Sequence, residues 1–104
     1  MSTSTMNAQQ ACELLKEGKL KVVDIRDPQS YESGRIKTAE RLDNSNLQDF
    51  IKNNAKDQPV LVCCYHGIAS KSATDFLKEQ GFTDVYSLDG GFEFWKACHP
   101  EYCD

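Results

Sequence analysis

The spacing of apolar residues changes period repeatedly along this chain. Ala8, Ala11, Cys12 and Leu15 recur at helical spacing, with Asn7 and Gln10 in a capping-box pattern before them and Gly18 as a stop. Residues 21–25, Lys-Val-Val-Asp-Ile, predict a short strand. Pro28 follows it at a position suited to the first turn of a short helix. Residues 36–42 predict a weak edge strand, and Leu47, Phe50 and Ile51 mark a helix between Asn46 and Asn54. The most apolar run, residues 59–63, predicts a buried strand. Ala69, Ala73, Phe76, Leu77 and Gln80 then share a helical period that Gly81 ends. A strand at Val85–Leu88 and a helix at Gly91–Cys98 complete the pattern, with Phe92 and Trp95 expected in the core.

Strands and helices that alternate from end to end predict an α/β fold, a mainly parallel sheet with helices on both faces. Such sheets bind ligands at the carboxyl ends of their strands. Cys64 stands there, just past the 59–63 strand and just before the 69–80 helix. A thiol between a strand end and a helix N-terminus meets free backbone N–H groups, which favour a thiolate and bind anions. A buried structural cysteine is the competing reading, and the glycine-containing loop around Cys64 argues against it. Cys63 is one residue earlier, so its side chain points to the opposite face and is expected to pack in the core.

A chain of 104 residues predicts one domain. The net charge of −4, from 12 basic and 16 acidic residues, offers no basic patch for nucleic acid. No apolar run approaches the roughly 20 residues of a membrane span. The first residues, MSTSTMN, lack a basic segment followed by an apolar one, so export is not expected. Five cysteines (12, 63, 64, 98 and 103) then read as reduced thiols of a cytoplasmic protein. Cys98, His99 and Cys103 offer three possible metal ligands without a paired Cys-x-x-Cys motif, so no metal site is expected. Oxidation could join Cys98 to Cys103, in a tail expected to fray.

Three segments, in order, carry a resemblance. They are VVDIRDPQSYESGRI at 22–36, CYHGIASK at 64–71 and LDGGFEFW at 88–95. Together they resemble the rhodanese family of sulfurtransferases, and most of all its single-domain thiosulfate sulfurtransferases of the bacterial cytoplasm. The resemblance spans nearly the whole chain and implies one rhodanese domain over residues 1–104, with about five strands. It implies a persulfide on Cys64, cradled by the backbone N–H groups of residues 65–70. It also implies that Tyr65, His66, Gly67, Ile68, Ala69, Ser70 and Lys71 form the substrate-binding loop. Thiosulfate would be the donor, and cyanide or a thiol, such as a thioredoxin-like dithiol, the acceptor. Transfer would be ping-pong and need no cofactor. The chain departs from common family usage at Arg35, where histidine is frequent, and at Ile68 and Ala69, which replace polar loop residues. Anion binding is therefore expected to rest on the backbone.

Other readings of the same residues are weaker. A phosphatase or arsenate reductase loop needs cysteine, five residues and then arginine, to hold oxygens bidentately. Here that position is Ser70, and no arginine follows Cys64. A persulfide carrier between proteins and a non-catalytic rhodanese-like binding module stay open. His66 and Lys71 are candidates to add positive charge, and Tyr65 to shape the mouth. Asp24 and Arg26 are expected to form a structural ion pair in preference to an anion trap, and Arg35 to be a solvated surface charge.

Overall fold

Five parallel strands form one sheet in residues 3–104, which the computed structural model describes. The strands are β1 (Thr5–Met6), β2 (Lys21–Asp24), β3 (Glu40–Arg41), β4 (Val60–Cys63) and β5 (Val85–Leu88). The helices are α1 (Ala8–Lys16), α2 (Pro28–Ser33), α3 (Leu47–Asn53), α4 (Ala69–Glu79) and α5 (Gly91–Cys98), with a short 3₁₀ turn at Pro100–Tyr102. The sheet order is β1-β5-β4-β2-β3, and every pairing is parallel. The most apolar strand is thus the middle one, its four residues all buried.

Alternate residues of β4 serve two cores. Leu61 and Cys63 pack with Ala11 and Cys12 of α1 and Phe92 and Trp95 of α5. Val60 and Val62 pack with Phe50 of α3 and Leu77 of α4 on the other face. Period-two alternation in a strand covered on both sides requires this division. The capping box at Asn7 is present, with Asn7 Oδ1 accepting from Gln10 N–H at 2.8 Å and Gln10 Oε1 from Asn7 N–H at 3.2 Å.

Three elements differ from the expected pattern. The edge strand shrinks to Glu40–Arg41, because Thr38 adopts a φ of 69° and Ala39 N–H closes a turn on Ile36 O. The first strand, Thr5–Met6, is too short for alternation to show. It joins β5 through Ser87 N–H to Ser4 O and Asp89 N–H to Met6 O, both 2.9 Å. The expectation of a frayed tail is wrong. Lys37 N–H donates to Tyr102 O at 2.8 Å, Asp104 N–H donates to Arg35 O at 2.8 Å, and Ile36 bridges Cys103 in an antiparallel pair.

Candidate active site

Past Cys63 the chain turns sharply, and Cys64 comes to lie on the α4 side with its sulfur buried. Gly67 N–H donates to Cys64 Sγ at 3.2 Å and Ser70 N–H donates at 3.3 Å. Ser70 Oγ lies 3.3 Å from the same sulfur. The turn depends on glycine. Gly67 has a φ of 86°, and a Cβ there would stand 2.9 Å from Leu88 O. The first N–H groups of α5 clamp the loop, Phe92 N–H on Cys64 O at 2.8 Å and Glu93 N–H on Tyr65 O at 3.1 Å. This approach requires Gly91, where a Cβ would lie 2.5 Å from Tyr65 backbone atoms.

The two adjacent thiols have opposite chemistry. Burial pushes the Cys63 thiol strongly up, the nearby Asp24 charge adds to that, and its side chain is fully enclosed by the core. Burial also works against charge on Cys64. There the hydrogen bonds from the Ser70 hydroxyl and from the Ser70, Gly67 and His66 N–H groups outweigh it and hold the thiol below its ordinary value. Alkylation of the native protein by iodoacetamide, read by peptide mass, should therefore be half-maximal at Cys64 at a lower pH than for an unperturbed thiol. The ionised form predominates above that midpoint and is lost as pH falls through it. Cys63 should stay unmodified throughout; a Cys64 midpoint at or above the ordinary value contradicts this assignment.

Of the seven loop residues singled out in the sequence, the structure brings Gly67 and Ser70 to hydrogen-bond distance of the sulfur, and of His66 the backbone N–H alone turns toward it. Tyr65, His66, Ile68, Ala69 and Lys71 are exposed around it. Tyr65 leans away, its hydroxyl bonded to the Asp27 carboxylate and, at 2.8 Å, to Ser30 Oγ. It ties the loop to the N-cap of α2. The Tyr65 hydroxyl and Ser30 hold the Asp27 carboxyl well below the usual carboxylate range. Ile68, 76% exposed, is the most exposed large apolar side chain of the described residues.

Asp24 and Arg26 form the expected structural pair. Arg26 Nε donates to Asp24 Oδ1 at 3.0 Å and Nη2 to Oδ2 at 2.7 Å, with Nη2 also on Gly34 O at 2.7 Å. Arg35 is not a freely solvated charge: it is half-buried, its Nη1 donates to Tyr31 O at 3.1 Å, and its guanidinium lies 4.7 Å from the Tyr31 ring centre. All five cysteines are free thiols. Among the described residues no three His, Cys, Asp or Glu side chains are placed to hold a metal ion.

The helical period holds only in part for α4, where Leu77 and Ala73 reach the second core as expected and Ala69, Phe76 and Gln80 do not. Its buried residues are Ser70, Thr74 and Leu77, while Ala69 is exposed and Phe76 is 39% exposed. The hydroxyls tolerate burial because each is bonded, Thr74 Oγ1 to Ser70 O at 2.7 Å and Ser70 Oγ to Ser87 Oγ at 2.6 Å. Ser87 was not identified from sequence. The available signal is a serine on the same phase as Val85 in an otherwise apolar strand.

A family model for the rhodanese-like domain matches residues 7–98. A thiosulfate sulfurtransferase GlpE of Pseudomonas putida is 54% identical over 92 residues, covering 88% of this chain and 84% of that one. A protein of the same name from Pseudoalteromonas translucida is 44% identical over 101 residues, covering 97% and 96%. Among solved structures, a rhodanese-related protein from Thermoplasma volcanium superposes with a TM-score of 0.77 at 28% identity, over 90% of this chain and 91% of that one. The reduced CoADR-RHD protein of Bacillus anthracis shares the fold with a TM-score of 0.81, over 97% of this chain and 18% of that one.

Proposed function

This chain belongs to the rhodanese-like domain family, and on that footing we propose that it is a thiosulfate sulfurtransferase carrying sulfane sulfur as a persulfide on Cys64. The observation that carries the reading is the convergence on Cys64 Sγ of the Gly67 and Ser70 N–H groups and the Ser70 hydroxyl. These donors stabilise a charged sulfur at the mouth of the sheet. The curated relatives' shared name supplies the substrate class.

The reaction follows from that sulfur. The Cys64 thiolate attacks the outer sulfur of thiosulfate, a new S–S bond forms, and the thiosulfate S–S bond breaks with its electron pair leaving on sulfite. Cyanide, or the thiolate of an acceptor, then attacks the outer persulfide sulfur. Thiocyanate or a new persulfide departs and the Cys64 thiolate returns. Charge and electrons balance in both steps without a further oxidant, reductant or cofactor, and the covalent intermediate makes the kinetics ping-pong. Gly67 and Ser70 hold the sulfur. His66, when protonated, and Lys71 add positive charge at the rim, while Tyr65, Ile68 and Ala69 shape the opening. Five free thiols suit a reducing compartment such as the cytoplasm. Ser70, in place of an arginine, leaves no bidentate grip for a phosphoryl group.

Incubation with thiosulfate under non-reducing conditions should add the mass of one sulfur atom to the intact protein. Cyanide should then release thiocyanate and restore the original mass. No mass gain, or hydrolysis of p-nitrophenyl phosphate without thiocyanate formation, overturns this reading.

A further inference from the structure

Cys64 Sγ, Ser70 Oγ and Ser87 Oγ lie in series, with 3.3 Å between the first two atoms and 2.6 Å between the last two. All three residues are buried, and Ser87 is 1% exposed. Ser87 reaches the sulfur's side of the sheet because it shares the phase of Val85; in register Ser87 pairs with Val62 of β4 and Val85 with Val60, both in the core on that face. Its hydroxyl has Ser70 Oγ as its one hydrogen-bond partner among the described residues. We propose that Ser87 is a positioning residue for the reactive sulfur: its hydroxyl holds that of Ser70 in the orientation that donates to Cys64. The proposal rests on Cys64 being the reactive cysteine.

Proton counting supports it. Each hydroxyl has one proton to give. A thiolate accepts only, so Ser70 must donate to it, and Ser70 Oγ then accepts the proton of Ser87. Every donor in the series is used. If a neutral thiol donates to Ser70, the series reverses: Ser70 donates to Ser87, and the Ser87 proton is left without an acceptor. If the series keeps its direction, it ends on a neutral thiol sulfur, a weak acceptor. An unpartnered buried donor is unfavourable, so the hydroxyl pair favours the charged sulfur. Without Ser87, the Ser70 hydroxyl keeps its place but loses the donor that fixes its direction. The nearby titratable groups (Cys63, Tyr65, His66, Lys71, Asp89 and the Asp24–Arg26 pair) are unchanged by Ser87→Ala, which removes one buried oxygen.

The test is a cycle of Ser70→Ala, Ser87→Ala and the double variant, read two ways. The first is the pH profile of Cys64 alkylation by iodoacetamide; the second is the rate of persulfide formation from thiosulfate. Ser87→Ala should move the alkylation midpoint to higher pH and slow persulfide formation below that midpoint by about two- to tenfold, the range for one hydrogen bond. The rate at high pH should stay near wild type. In the Ser70→Ala background, Ser87→Ala should have no further effect on the midpoint. An unchanged midpoint in Ser87→Ala, or an equal shift with and without Ser70, overturns the proposal. The alkylation readout needs no sulfur donor. If wild type takes no sulfur from thiosulfate while the midpoints shift as stated, the sulfurtransferase reading fails and the role of Ser87 stands.

Discussion

Cys64→Ala should reduce sulfur uptake from thiosulfate to background, while Cys63→Ala should retain it. The two thiols are neighbours in sequence, yet they stand on opposite sides of the middle strand. Cys63 is packed among Leu61, Val22 and Trp95, with its thiol proton on Cys64 O at 3.6 Å, and burial keeps it neutral. It has neither an approach path nor donors to stabilise a thiolate. Cys64 has two N–H donors on its sulfur, the Ser70 hydroxyl 3.3 Å away to donate once the sulfur is a thiolate, and a loop that opens to solvent at Tyr65 and Ile68. Removing it deletes the atom proposed to form the covalent intermediate, and no other group in the loop is a comparable nucleophile. Cys63→Ala removes roughly one methylene equivalent from the core and should lower stability by about 1 kcal/mol. Intact mass after thiosulfate treatment of both variants decides the matter. An inactive Cys63→Ala beside an active Cys64→Ala would sink the assignment.

The sequence pattern reaches Cys64 because two independent signals meet there, an apolar run that must be a central strand and a helix that starts five residues later. The three flanking motifs add the family. What the pattern does not reach is held by hydrogen bonds between polar groups and not by apolar burial. Ser70 and Thr74 face inward on α4 while Phe76 is partly exposed, the reverse of a hydrophobic stripe. Ser87 is invisible to a scan for apolar alternation, since its burial is compensated by one partner seventeen residues away. The tail escapes for a similar reason. Tyr102 and Cys103 pack against the first core, and main-chain bonds to residues 35–37 hold the segment, a pairing with no local signature. The fold was therefore legible wherever hydrophobic burial decides it, and the support beneath the sulfur was not.

The same distinction governs the second large effect, Arg26→Ala, which should lower stability by about 3–5 kcal/mol. Asp24 is fully buried at the end of β2, and in the native chain Arg26 gives it a bidentate side-chain pair as well as its own N–H at 3.0 Å. The guanidinium is itself enclosed, 4.3 Å from the Phe92 ring centre and bonded to Gly34 O. Alanine leaves a buried carboxylate with one backbone donor, the N–H of residue 26. For a domain of 104 residues, that loss should lower Tm by more than about 10 °C. Arg26→Lys should not restore it, because an ammonium cannot make the forked contact. Asp24→Leu combined with Arg26→Met should recover most of the stability, since an apolar pair of similar size removes the isolated charge. Thermal melts of these variants separate the cost of a stranded charge from the loss of a contact. An Arg26→Ala protein that melts within about 2 °C of wild type would show the pair to be dispensable. A recovered double variant that still takes up sulfur from thiosulfate would place Arg26 outside the anion site, with a role in joining β2, the Gly34 turn and α5 beneath the loop.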